Sequence, residues 1–134
     1  MKRNEEKNLE KLVKLIEDLK NSSEKIIVEG KRDRKALEEI GIASERIFEI
    51  SRVDIGKLGP TLNGKAIDLI DKDRKGIEIS RRLHEKTKLT LDKKYKIIFS
   101  LIKSYHLEDL DNFLKKIYRT KVMKSQLRLF SIFV

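Results

Sequence analysis

Apolar residues recur at helical spacing over residues 5–20, where Leu9, Leu12, Val13, Ile16 and Leu19 share one face among Lys and Glu. Asn21-Ser22-Ser23 supplies turn chemistry and ends that helix. The pattern then changes. Ile26-Ile27-Val28 is a continuous β-branched run of the kind a buried parallel strand uses, and it stops at Glu29-Gly30. A helix is predicted over 33–40, with Gly41 at its C-terminal cap. Residues 47–50 read as a second strand. Residues 52–64 hold Gly56, Gly59, Pro60, Asn63 and Gly64 and read as a loop. A third strand is predicted over 66–70, ending in Asp71-Lys72-Asp73. A helix over 75–87 and a fourth strand at 88–91 follow. Two more helical patterns cover about 93–104, with Tyr95, Ile98, Phe99 and Ile102, and 107–118, with Leu107, Leu110, Phe113, Leu114 and Ile117.

Strands alternating with helices predict an α/β fold, a small central sheet of about four mostly parallel strands flanked by helices. The organisation expected is an N-terminal helix (1–23), a core (24–92), C-terminal helices packed on it (93–118) and a tail (119–134). The chain has 134 residues, and 39% of them are hydrophobic, enough for one modest core. It has no Cys, which excludes disulfides, thiol catalysis and Cys-ligated metals, and its two His exclude a three-histidine zinc site. No apolar run approaches a membrane span, and MKRNEEKNLEKL lacks the apolar core of a signal peptide. A soluble cytoplasmic protein is expected, with no membrane partner.

Charge makes the picture more specific. The formal net charge is +10, and residues 113–134 carry six basic side chains (Lys115, Lys116, Arg119, Lys121, Lys124, Arg128) and no acidic one. A basic balance of this kind favours a polyanion, and nucleic acid, RNA or DNA, is the common one.

Ligands of an open parallel sheet bind beyond the carboxyl ends of its strands, and two predicted strands end in acid. If those strands are neighbours, Glu29, Asp71 and Asp73 converge. Two carboxylates about 4 Å apart repel by roughly 4 kcal/mol at an effective dielectric near 20. A hard cation between them relieves this, which points to Mg²⁺ or Mn²⁺. The plainer reading of each Asp is a strand end or helix cap. Gly30 is expected to let the chain turn after Glu29, and Gly76 to let the backbone come close at the start of the next helix. Around the acids lies a basic collar: Lys31, Arg32, Arg34 and Lys35, then Lys72, Arg74, Lys75, Arg81 and Arg82. An acidic centre in such a collar suits metal-assisted chemistry on phosphodiesters.

VEGKRD (28–33) followed by LIDKDRKG (69–76) resembles the Toprim domain, and the likeness is nearest to the stand-alone small Toprim proteins of archaea. It covers about residues 24–92. The resemblance implies that Glu29 acts in acid–base chemistry or helps place the metal. It implies that Asp71 and Asp73 hold Mg²⁺, and that Gly30 and Gly76 are the motif glycines. Asp33 falls at a commonly acidic position, and Lys72 departs from the apolar or aromatic residue often found between the aspartates.

The function expected is Mg²⁺-dependent nucleic-acid processing, by phosphodiester cleavage or other phosphoryl transfer on RNA or DNA. A non-catalytic nucleic-acid-binding module, or a subunit of a larger processing complex, is the alternative. Tyr95, Tyr105 and Tyr118 read as core or helix-surface residues, which leaves no obvious topoisomerase nucleophile. His84 and His106 read as surface or packing residues. The chain ends in an apolar stretch, and Leu129, Ile132 and Phe133 are expected to bury against something. Gln126-x-x-Leu129-x-x-Ile132-Phe133 resembles the sliding-clamp-binding box, with Ile132 departing from its first aromatic position. A second copy of the chain, its own helices, or a clamp are the occupants considered.

Overall fold

Three consecutive buried apolar residues form β1 (Ile26–Val28), the inner strand on which the rest is built. The computed structural model describes residues 2–52 and 54–118. The tail with Gln126, Leu129, Ile132 and Phe133 lies outside the described residues, as do Arg119, Lys121, Lys124 and Arg128. Among them the order is α1 (Lys2–Asn21), β1, α2 (Lys31–Glu39), β2 (Ile47–Glu49), α3 (Ile55–Thr61), β3 (Lys65–Asp68), α4 (Arg74–Lys86), β4 (Thr90–Asp92), α5 (Ile97–Leu101) and α6 (Asp109–Tyr118), with short 3₁₀ turns between.

The four strands are all parallel, in the order β2-β1-β3-β4. Ile26 pairs with Ile47 on one side and Ile67 on the other. The chain runs outward from β1 to β2, then returns past β1 to β3. The strand order therefore reverses between β1 and β3, and their carboxyl ends flank the switch point.

Alternation along the strands divides the core. Ile26, Val28, Ile67 and Leu69 face α1, α5 and α6, against Leu12, Ile16, Phe99 and Leu110. Ile27, Ala66 and Ile70 face α3 and α4, against Leu58, Leu62 and Leu83. The apolar stripe expected in α1 is buried from Leu9 to Leu19.

The loop expected over 52–64 contains α3. Asp54 caps it, its side chain accepting from the Gly56 N–H at 3.0 Å. Leu58 and Leu62, one turn apart, are buried. Their burial outweighs the low helix propensity of Gly56, Gly59 and Pro60. The helix expected over 93–104 is shorter: a 3₁₀ turn leads into α5, and Lys103 at φ 55° breaks the chain out of the helix. The third strand stops two residues before its expected end, although the Leu69 N–H still donates to the Ile27 carbonyl at 3.0 Å. No helix among the described residues is long and apolar enough to cross a membrane.

Candidate metal and nucleic-acid site

The adjacency of β1 and β3 brings Glu29 and the Asp71–Asp73 bend to one edge of the sheet. Beyond β3 the buried Leu69 and Ile70 carry the chain to Asp71, whose side chain is nearly buried. Three contacts lock this bend. Asp71 Oδ1 accepts from the Leu107 N–H at 2.9 Å. The Lys72 N–H donates to the Tyr105 carbonyl at 2.8 Å. The Asp71 carbonyl lies so close to Gly76 that a Cβ there would sit 1.9 Å from its oxygen. The expected close approach at Gly76 is thus a steric requirement. Gly30 differs: its φ of −155° is extended backbone open to any residue, and a Cβ would meet nothing nearer than Ser51 Oγ at 3.9 Å. The chain does bend between β1 and α2, as expected, but the bend does not require a glycine conformation at Gly30.

Asp73 is the N-cap of α4, its Oδ1 accepting from the Gly76 N–H at 2.7 Å. Its other oxygen lies 3.5 Å from His106 Nδ1, and Asp71 Oδ2 lies 3.4 Å from the same nitrogen. Each aspartate therefore gives one oxygen to the backbone and presents the other to His106. Asp71, Asp73 and His106 offer ligand atoms within 4.8 Å of one another, close enough to share one ion. Partial burial disfavours the imidazolium. The hydrogen bond with Asp71 and the charges of Asp71, Asp73 and Asp109 more than offset this, and raise the His106 pKa above its usual value.

His106 was expected to be a surface or packing residue. Its backbone N–H donates to Ser104 Oγ at 3.0 Å, and that hydroxyl donates to Asp109 Oδ2 at 2.5 Å. This turn ahead of α6 fixes the residue opposite the bend. The one signal for it was its place in the short connection before a predicted helix, where side chains are free to reach strand ends.

Glu29 stands beside this set rather than in it. Its Oε1 pairs with Lys75 Nζ at 3.4 Å. Burial raises its pKa; the Lys75 hydrogen bond opposes this, and the charges of Asp71 and Asp73 reinforce it. Of the three acids expected to share a cation, Asp71 and Asp73 bring their free oxygens together at His106, while Glu29 pairs with Lys75. Asp33 is buried at the start of α2, where its Oδ2 accepts from the Gly30 N–H at 3.0 Å. Burial first, then the charge of Asp71, push its pKa up to about 7.

The basic collar separates into two groups. Lys31, Arg32, Arg74, Lys75 and Arg82 are exposed, and Lys72 is half-buried at the bend. Arg32 reaches Glu108 at 3.7 Å. Arg34 is engaged within the protein: its Nε donates to the buried Glu49 at 2.8 Å and its NH1 to the Ser44 carbonyl at 2.9 Å. Its charge serves the packing of α2 on β2. Arg81 lies on the exposed side of α4, paired with Glu78 and, at 2.7 Å, with Glu85 of the same helix. One ionic contact escaped sequence reasoning altogether. Asp68, fully buried under α4, has Oδ2 3.2 Å from Lys96 Nζ, and Lys96 also donates to Ser80 Oγ at 3.2 Å. Tyr95 is buried as expected and donates to Asp18 at 2.5 Å. Tyr105, expected in a helix, lies in the connection between α5 and α6 and is 66% exposed. His84 is exposed, as expected.

The chain is similar to archaeal proteins of the UPF0292 family. It is 36% identical to a UPF0292 protein of Thermococcus onnurineus over 78 residues, 57% of this chain and 58% of that one. It is 35% identical to a UPF0292 protein of Pyrococcus furiosus over 80 residues, 58% of this chain and 60% of that one. The chain thus spans about three fifths of the length of the curated relatives it matches. A solved structure of an Aquifex aeolicus protein superposes with a TM-score of 0.63 at 26% identity, over 72% of this chain and 94% of that one. No protein-family model matches the chain, so the Toprim resemblance stands on its two motifs.

Proposed function

We propose that this protein is a Toprim-type nucleic-acid-processing protein that uses Mg²⁺ or Mn²⁺ to cleave or transfer phosphodiesters of RNA or DNA. The observation that carries the reading is the shared presentation of Asp71 Oδ2 and Asp73 Oδ2 toward His106 Nδ1. The donor chemistry fits the ion. Two carboxylates suit a hard cation, and the imidazole favours Mn²⁺ over Mg²⁺ as an additional ligand. The charges of Asp71 and Asp73 raise the His106 pKa, so the space between their free oxygens favours positive charge, which supports a cation there. Asp71, Asp73 and His106 would hold the metal, which when bound supplies Lewis-acid polarisation of a phosphoryl oxygen.

The remaining roles belong to the chain's own groups. Glu29, with its raised pKa, is suited to hold or take up a proton at its carboxylate, and Lys75 fixes its position. Lys72, Arg74 and Arg82 neutralise phosphate charge along α4. The switch point between β1 and β3 supports the location of the site. A second reading, a binding module without catalysis, draws on the fact that Glu29 is tied to Lys75 and Asp73 already caps α4.

The test pairs a binding readout with a cleavage readout. Mn²⁺ should raise the melting temperature of the wild type, because a ligand of the native state alone stabilises it by mass action. Asp71→Asn with Asp73→Asn keeps the oxygen acceptors for the Leu107 and Gly76 N–H groups and removes both charges. This variant should fold and lose the Mn²⁺ shift. End-labelled RNA and DNA should be cleaved by the wild type in Mg²⁺ or Mn²⁺ and left intact in EDTA. An unchanged Mn²⁺ shift in the double variant would sink the metal assignment, and binding without cleavage would favour the second reading.

A further inference from the structure

The large apolar side chains left exposed among the described residues are Tyr105, at 66%, and Ile77, at 59%. Both line one open groove of about 890 Å³ beside Asp73. Ile77 is not required there by the packing of α4, which buries Leu83 and packs Ile79 on the opposite side. The Tyr105 ring is exposed, but its backbone is held, because its carbonyl accepts the Lys72 N–H at 2.8 Å. The next residue is His106 of the candidate metal set. An aromatic face on a held backbone therefore stands one residue from the candidate metal set.

Its surroundings select the occupant. Lys72 and Arg74 line the same groove, and Lys72 and Lys103 line the adjoining one, on the other side of Tyr105. None of these three cations takes part in an ion pair among the described residues. Glu78 at the groove's far edge is neutralised by Arg81. An aromatic face between unpaired cations is the arrangement that binds a base by stacking and its flanking phosphates by charge. Bases in a duplex are already stacked on both faces, whereas an unpaired base has a free one.

We infer that Tyr105, backed by Ile77, is a stacking platform for an unpaired nucleobase next to the metal site, so that the substrate is single-stranded at the point of reaction. This rests on the nucleic-acid reading above and specifies the form of the strand. The test is equilibrium binding in EDTA of a fluorescent single-stranded oligonucleotide, the same strand in a duplex, and the same strand with an abasic stretch. Tyr105→Ala should weaken binding of the single strand by about 5- to 100-fold, the usual loss for one stacked base. It should leave the duplex, the abasic strand and the salt dependence of binding nearly unchanged. Tyr105→Trp should retain affinity. Because the chain has no Trp, the fluorescence of that variant should also be quenched by the single strand. Equal losses on single strand and duplex, or none on either, overturn the platform while leaving the nucleic-acid reading intact. Absence of binding to any of the three by the wild type at low salt overturns both. Lys72→Glu with Arg74→Glu separates the two ideas further: it should weaken all three ligands and flatten the salt dependence.

Discussion

Gly76→Ala probes the site through its backbone. In an ordinary helix this change stabilises, by up to about 1 kcal/mol from propensity alone. At position 76 the added methyl would lie 1.9 Å from the Asp71 carbonyl oxygen, 2.7 Å from its carbon and 3.1 Å from Asp73 Oδ1. The first two neighbours are backbone, so no side-chain rotation relieves the contact. Either α4 or the Asp71–Asp73 bend must move. Overpacking of this kind costs about 1–3 kcal/mol and sometimes more. Set against the propensity gain, the expected net change is a loss of about 1–2 kcal/mol. For a chain of this size that is a fall in melting temperature of roughly 3–10 °C. Gly56→Ala in α3 is the internal control, because a Cβ there would meet only Asp54 Oδ1, at an ordinary van der Waals distance of 3.5 Å. That variant should be neutral or gain up to about 1 kcal/mol. Urea unfolding of the two variants beside the wild type, with thermal shifts in Mn²⁺, gives the comparison. Gly76→Ala should unfold at lower urea and respond less to Mn²⁺, because the displaced bend carries Asp71 and Asp73. If it unfolds at the same or higher urea than Gly56→Ala, the close approach of Asp71 to α4 is not as described, and the site geometry built on it fails.

Two further outcomes are expected. Asp33 has a pKa raised from 3.8 to about 7, so between these values the native state binds more protons than the unfolded chain, and its contribution to stability falls as pH rises through this window. Asp33→Asn, which keeps an acceptor for the Gly30 N–H, should match the wild type near pH 4 and exceed it above pH 7 by about 2–4 kcal/mol at most, measured as urea midpoints against pH. Lys96→Met should destabilise by about 3–5 kcal/mol, because it leaves the fully buried Asp68 charge without its partner, and adding Asp68→Asn should recover much of that loss.

Local order was legible in the chain. Leu9 to Leu19 mark one helical face, and the β-branched run at 26–28 marks a strand, because periodicity and rotamer limits act within a few residues. Asp71, Asp73 and Gly76 could be read as a site for the same reason: they lie within one turn of chain, and the bend and the cap of α4 are short-range steric facts. α3 was hidden because Gly56, Gly59 and Pro60 signal a loop locally, while the burial of Leu58 and Leu62 that outweighs them depends on the sheet beneath. Charge alone did not separate Arg34 from Arg74. Only the packing of α2 on β2 shows that one guanidinium is held by Glu49 and Ser44 while the other remains exposed. His106 and Tyr105 lie more than 30 residues from Asp71 along the chain. They reach it because α5 ends at a left-handed Lys103 and α6 packs its leucines on the α1 side of the sheet, carrying the connection across the end of β3. No local pattern encodes such a crossing, since it is set by where two separately packed helices leave their linking segment.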